Sequence, residues 1–97
     1  MEFITVTQTG ANITTGAASA RVALPLDSSG KVPRYIRVSA TAAARISLGT
    51  VASNALATDA LLMPSDAMNM AVPLGLTHLC AIQDTAAGTV NVVPLEN

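Results

Sequence analysis

Tryptophan is absent, and Phe3 and Tyr35 are the only aromatic side chains in 97 residues. Single-stranded nucleic acid is held by stacking on aromatic faces, and duplexes by clustered Lys and Arg. Five basic residues against six acidic ones supply no such cluster, and the net charge is −1. Arg34, Arg37 and Arg45 come near one another, but without aromatic partners. No nucleic-acid partner is expected. Cysteine occurs once, at Cys80, so no disulfide can close within the chain. Small secreted domains are usually stapled by several bridges, which favours synthesis in a reducing cytoplasm. Nor is there a signal-peptide pattern, since Met1-Glu2 opens with an acid and threonines alternate after it. Long hydrophobic runs are missing as well. The longest weakly charged apolar stretch, 67–82, is broken by Pro73 and Gly75 and carries Asn69 and His78. A membrane helix needs about twenty apolar residues, so no membrane partner is expected.

Charge is the scarcest commodity, at 11% of residues against about 25% in ordinary domains. Hydrophobic residues make up 51%, the reverse of a disordered composition. The length suits one domain over residues 1–97, exposing roughly 5,200 Å² when folded against roughly 14,000 Å² unfolded. Eighteen alanines, eleven threonines and seven serines can cover that surface without charge. So neutral and apolar a chain is more comfortable where neighbours take up part of its surface. An oligomer or an assembly component is the expectation.

Wherever a pattern is readable, its period is two. Residues 2–8 alternate Ile4 and Val6 with threonines, and 19–24 set Val22 and Leu24 against Arg21 and Ala23. Pro25 ends that run, and Asp27-Ser28-Ser29-Gly30-Lys31 is a turn in which Gly30 accepts a positive φ. In 34–40, Ile36, Val38 and Ala40 face inward, and in 44–49, Ala44, Ile46 and Leu48 do the same. With 41–43 as a reversal, these two strands are expected to pair as a hairpin with Arg37 and Arg45 on its solvent face. A loop follows, with room for one helical turn near 53–57, then short strands near 61–63 and 68–72. Residues 77–83 are apolar on both faces, as in a central strand. Residues 89–93 form a closing strand stopped by Pro94. Turn signals between short alternating runs predict an all-β fold, an antiparallel β-sandwich of seven to eight short strands, jelly-roll-like or immunoglobulin-like.

Candidate chemistry is sparse. His78 and Cys80 fall two apart on one strand face, but a Cys–His pair needs an exposed thiolate and a third group to orient the imidazole. They read as packing residues. Asp27, Asp59, Asp66 and Asp84 each stand beside turn residues, where carboxylates cap backbone N–H groups. The six glycines never cluster into a phosphate-cradling loop. Asn12-Ile13-Thr14 matches a glycosylation acceptor, which means little without export. No catalytic residue, cofactor or metal site is expected. Apart from Met1, the methionines fall between Met63 and Met70, a contact surface or irregular core. The segment 1–9 is either an arm that adds to a neighbour's sheet edge or an edge strand of its own sandwich. Candidate oligomer or partner contacts are therefore Phe3, Ile4, Val6, Leu61, Leu62, Met63, Met68 and Met70.

One resemblance covers residues 32–95. It is carried by Pro33-Arg34-Tyr35-Ile36-Arg37-Val38-Ser39-Ala40 and Ala44-Arg45-Ile46-Ser47-Leu48-Gly49. Asp59-Ala60-Leu61-Leu62-Met63-Pro64, His78-Leu79-Cys80-Ala81-Ile82 and Gly88-Thr89-Val90-Asn91-Val92-Val93-Pro94-Leu95-Glu96 follow in order. An arginine-bearing strand, a strand ending in Leu-Gly, a DALL-P turn, a THLxAI strand and a G-T-V-N-V ending resemble small β-rich head proteins of tailed bacteriophages. The similarity is to capsid decoration, or cement, proteins. It implies a homo-oligomer, commonly a trimer, on the outside of a virion, with the major capsid protein as partner and no enzymatic activity. The rival from another class is a tail, spike or host-facing binding module whose loop 50–59 reads a ligand.

Overall fold

Short alternating runs become strands almost everywhere they occur, because a period of two puts every second side chain on one face of a pleated chain. The computed structural model describes residues 5–6, 10–56, 58–64 and 66–96. Its strands are β1 (Thr5–Val6), β2 (Ala11–Thr14), β3 (Ala20–Ala23), β4 (Tyr35–Ala40), β5 (Ala44–Gly49), β6 (Ala60–Leu62), β7 (Met68–Ala71), β8 (His78–Gln83) and β9 (Thr89–Glu96). Eight of them are three residues or longer, and no helix occurs among the described residues.

The connectivity follows one rule. β5 pairs with β6, β4 with β7, β3 with β8 and β2 with β9, all antiparallel. The chain is thus one long hairpin whose tip lies between β5 and β6. Rolling that hairpin adds two further pairings, β4 with β9 and β5 with β8. The result is two sheets, ordered β2-β9-β4-β7 and β3-β8-β5-β6, with β1 continuing the edge held by β2. This is the jelly-roll arrangement of two Greek keys, which decides against the immunoglobulin order. The all-β sandwich expected from the alternation is what forms.

Two local expectations are corrected. Arg37 is exposed and Arg45 half-buried on outer faces, but β4 and β5 are not a hairpin. They belong to opposite sheets, so residues 41–43 cross between the layers. Alternation says which face of a strand is apolar. It does not say whether two apolar faces meet side by side or across a core, and here they meet across it. Pro94 does not end the last strand either. It is fully buried opposite Ile36 inside β9. Because β1 ends opposite Leu95 and β2 begins opposite Val92, Pro94 sits where that ladder is interrupted. A missing N–H there removes no ladder bond.

Ile36, Val38, Ile46, Leu62, Leu79, Val90 and Val92 fill the space between the sheets with almost no exposure. Met68 and Met70 pack against this cluster from β7. The folded surface is 5498 Å², close to the roughly 5,200 Å² expected for the mass.

Candidate interaction surface

The rolled hairpin sends its loops to two ends. At the first, residues 15–19, 41–43 and 84–88 are tied by backbone bonds: Thr15 N to Gly88 O at 2.8 Å, Thr41 N to Thr89 O at 2.9 Å and Asp84 N to Ala43 O at 3.1 Å. Beside them Arg45 Nε meets Asp84 Oδ1 at 3.3 Å, with each side chain about a third exposed. Such a pair is worth about 0–1 kcal/mol.

At the second end lie loops 24–34 and 72–77. Asp27 organises the first of them. Its Oδ1 accepts from Ser29 N (3.0 Å), Ser29 Oγ (2.7 Å) and Lys31 N (3.0 Å), and Gly30 takes φ 81°. The Ser29 side-chain bond, then the Lys31 backbone bond, hold this carboxyl below its ordinary range. Loop 72–77 is pinned on both legs, by Val72 N to Arg34 O at 2.8 Å and by Thr77 N to Gly49 O at 2.9 Å. Leu76 N closes a turn on Pro73 O at 3.3 Å. Gly75, at φ 92°, sits at the third position, where a type II turn requires the left-handed region. Leu74, at the second position, is 103% exposed. It stands at the rim of an apolar groove of about 220 Å³ lined by Val32, Pro33 and Arg34 from one loop and residues 72–77 from the other.

Loop 50–59 takes a longer path. A Cβ on Gly49 would collide with Ser53, so only glycine permits the chain to double back there. Ser53 O then accepts from Cys80 Sγ (3.4 Å) and Arg21 Nη1 (3.2 Å), and Ala55 N donates to Ser19 Oγ at 2.7 Å. The loop therefore crosses the outer face of β8 to reach β3. It returns through a turn in which Leu56 N donates to Asp59 Oδ2 at 2.7 Å, and Arg45 Nη1 donates to Asp59 O at 3.2 Å.

These bonds place the residues singled out in the sequence. Cys80 is fully buried, as a packing residue should be, but it lies beneath loop 50–59 and not between the sheets. Burial pushes its thiol up, Arg21 pulls it back down, and Asp59 adds to the upward push. His78 is half-buried, with Nδ1 2.8 Å from Thr77 Oγ1. Asp27 and Asp59 cap backbone N–H groups and Asp84 pairs with Arg45. Asn12 is exposed on β2 and accepts from Asn91 Nδ2 at 2.8 Å.

The proposed contacts do not form one surface. Leu61 and Met63 are exposed at 37% and 43%. Leu62 must be withdrawn: it is 0% exposed, because its register opposite Ala44 turns it into the core. Met68 and Met70 face the same core and offer only their half-exposed edges. Val6 pairs through its backbone with Leu95 of its own β9, while Phe3 and Ile4 lie outside the described residues. Sequence reasoning missed Leu74, although its signal was present: Pro73 and Gly75 on either side of a leucine mark a tight turn. Among the described residues, no three His, Cys, Asp or Glu side chains gather in a way that could hold a metal. No known protein family, curated protein or solved structure matches this chain.

Proposed function

We propose that the protein is a structural virion component that decorates a phage capsid, oligomerising and bridging capsid subunits, and that it is no enzyme. The observation that carries this reading is the surface. Leu26, Val32, Tyr35, Val51, Leu56, Leu61, Met63 and Leu74 are exposed on a chain with only 11% charged residues. A soluble monomer ordinarily keeps such groups sparse and ringed by charge. The jelly roll supports the reading by analogy, since viral capsid domains use it, but lectins and cupins do too. The motif order over residues 32–95 supports it independently. The mechanism would be adhesive. Many small contacts in a symmetric array give avidity that one contact lacks, and a protein that binds only the assembled shell stabilises that shell by linkage.

Co-sedimentation with the virus particles encoded beside the gene tests this. Saturable binding to intact heads, with a raised disassembly temperature, is expected. Binding confined to tails or to host-cell surface material would favour the host-facing module, and binding to none of these overturns both.

A further inference from the structure

We propose that copies of this chain join edge to edge through the sheet β2-β9-β4-β7, the open edge of β7 in one copy pairing antiparallel with the open edge of β2 in the next. This contact deepens the assembly reading by naming the strands through which copies meet, and rests on it only for the expectation that several copies associate.

β1 and β2 lie end to end along β9, so the five-stranded sheet is four strands wide. That even width fixes the character of both edges. Val72 N bonds Arg34 O, and Thr15 N bonds Gly88 O. Bonded and non-bonded pairs alternate along an antiparallel ladder. Counted from those two bonds, the N–H and C=O of Asn69 and Ala71 turn away from β4, and those of Asn12 and Thr14 turn away from β9. All four residues are exposed, and among the described residues these backbone groups have no partner. The side chains of all four lie on the outer face, while Ile13 and Met70 turn to the core. Setting Asn12 against Ala71 and Thr14 against Asn69 therefore satisfies hydrogen bonds and pleat together, and brings Ile13 beside Met70 in one apolar layer. A sheet of odd width would set the two requirements in conflict. Direction agrees as well. Successive strands are antiparallel, so β2 and β7 run oppositely, and a copy turned about an axis along the strands lays its β2 antiparallel to β7.

Charge distinguishes these edges from the others. Edge strands are ordinarily kept apart by charge or proline. The second sheet follows that practice, with Arg21 in β3 and Asp59 directly before β6. β2 (Ala-Asn-Ile-Thr) and β7 (Met-Asn-Met-Ala) contain neither. The occupant is a second copy because every chain carries both halves of the ladder, equal in length and matched in parity. A contact between two different edges is head-to-tail, and it propagates until it closes into a ring. Each ladder is short and each contact weak, which ring closure offsets.

Sedimentation equilibrium on the purified full-length chain, from micromolar to millimolar concentration, should show a mass that rises above 9.8 kDa. Asn69→Pro removes an outward N–H without touching the ladder to β4, and should weaken association by at least about tenfold. Leu61→Asp, on the other sheet, should leave association unchanged. Cross-linking decides the matter even where the proline variant folds poorly. In the Cys80→Ala background, Thr14→Cys and Asn69→Cys chains should form a disulfide-linked pair when mixed and oxidised, because bonded pairs stand about 5.5 Å apart at Cα. Neither should cross-link alone. A wild type that stays monomeric at millimolar concentration overturns the proposal, as does a folded Asn69→Pro chain that associates like wild type. Asn69→Cys chains that cross-link as readily alone as in the mixture overturn it too, since β7 would then be meeting β7. The two proposals fail separately. A monomeric wild type that still coats heads sinks the edge contact and leaves decoration standing, whereas a chain that cross-links as expected yet binds no heads does the reverse.

Discussion

Leu61 and Leu62 are neighbours in sequence and opposites in energetics. Leu62 is completely buried and Leu61 is 37% exposed, so Leu62→Ala should cost about 2–5 kcal/mol and Leu61→Ala about 1 kcal/mol or less. Urea denaturation of both variants measures the contrast. A reversed contrast, with Leu61→Ala the larger loss, would mean that the register of β6 against β5 is wrong by one residue, since a slip of one exchanges the faces. Cys80 offers a second handle. Its thiol is pushed above the ordinary range chiefly by burial, so the folded chain holds that proton more tightly than the unfolded chain. The associated stability is complete below the ordinary thiol range, near pH 8.5, and is lost as pH rises through it towards the raised native value. The difference in urea midpoint between wild type and Cys80→Ala should therefore be constant from pH 6 to 8 and shrink by pH 10. Asp27 behaves in the opposite sense. Its lowered carboxyl contributes above the ordinary carboxylate range and ceases to contribute as pH falls through it.

At the scale of elements, loop 50–59 acts as a strap over β8, held at its crossing by Arg21 on β3. Arg21→Ala removes the donor shared by Ser53 O and Asn54 Oδ1. It should leave the melting temperature nearly unchanged, because the side chain is exposed, while raising the alkylation rate of Cys80 several-fold through local opening. An unchanged rate would mean that Ser19 and Cys80 alone hold the strap. The strap also marks where sequence reading runs out. The strands could be read because alternation is a local code: Ile36 with Val38, or Ala44 with Ile46, announces its inner face within six residues. The partners of those strands could not. β2 meets β9 through pairs such as Ile13 with Val90, and nothing within either segment names the other. The same blindness produced the hairpin expectation for β4 and β5, and the end assigned to β9 at Pro94, whose tolerance depends on an interruption in the strand beside it. Of the interaction surface, the turn that lifts Leu74 follows from Pro73 and Gly75 alone. The groove next to it requires loop 24–34, which is distant in sequence.

For the whole molecule, pairing of the first third of the chain with the last makes folding a late-closing process. Sandwiches of this kind fold in milliseconds to seconds, against microseconds for helical bundles, and stopped-flow refolding from urea should show a dominant phase in that slow range. Every connection from β2 onward passes from one sheet to the other, except that between β5 and β6. A cut through the backbone therefore divides both layers at once. Severed within loop 24–34, the chain becomes a short piece bearing β2 and β3 and a long piece whose β9 and β8 lose their outer neighbours. Neither piece owns a complete sheet, and each bares an edge that invites aggregation. Mixed together, they have one well-defined way to recover every lost ladder, so the rolled hairpin should work as a split protein that is silent in halves and restored by reassociation.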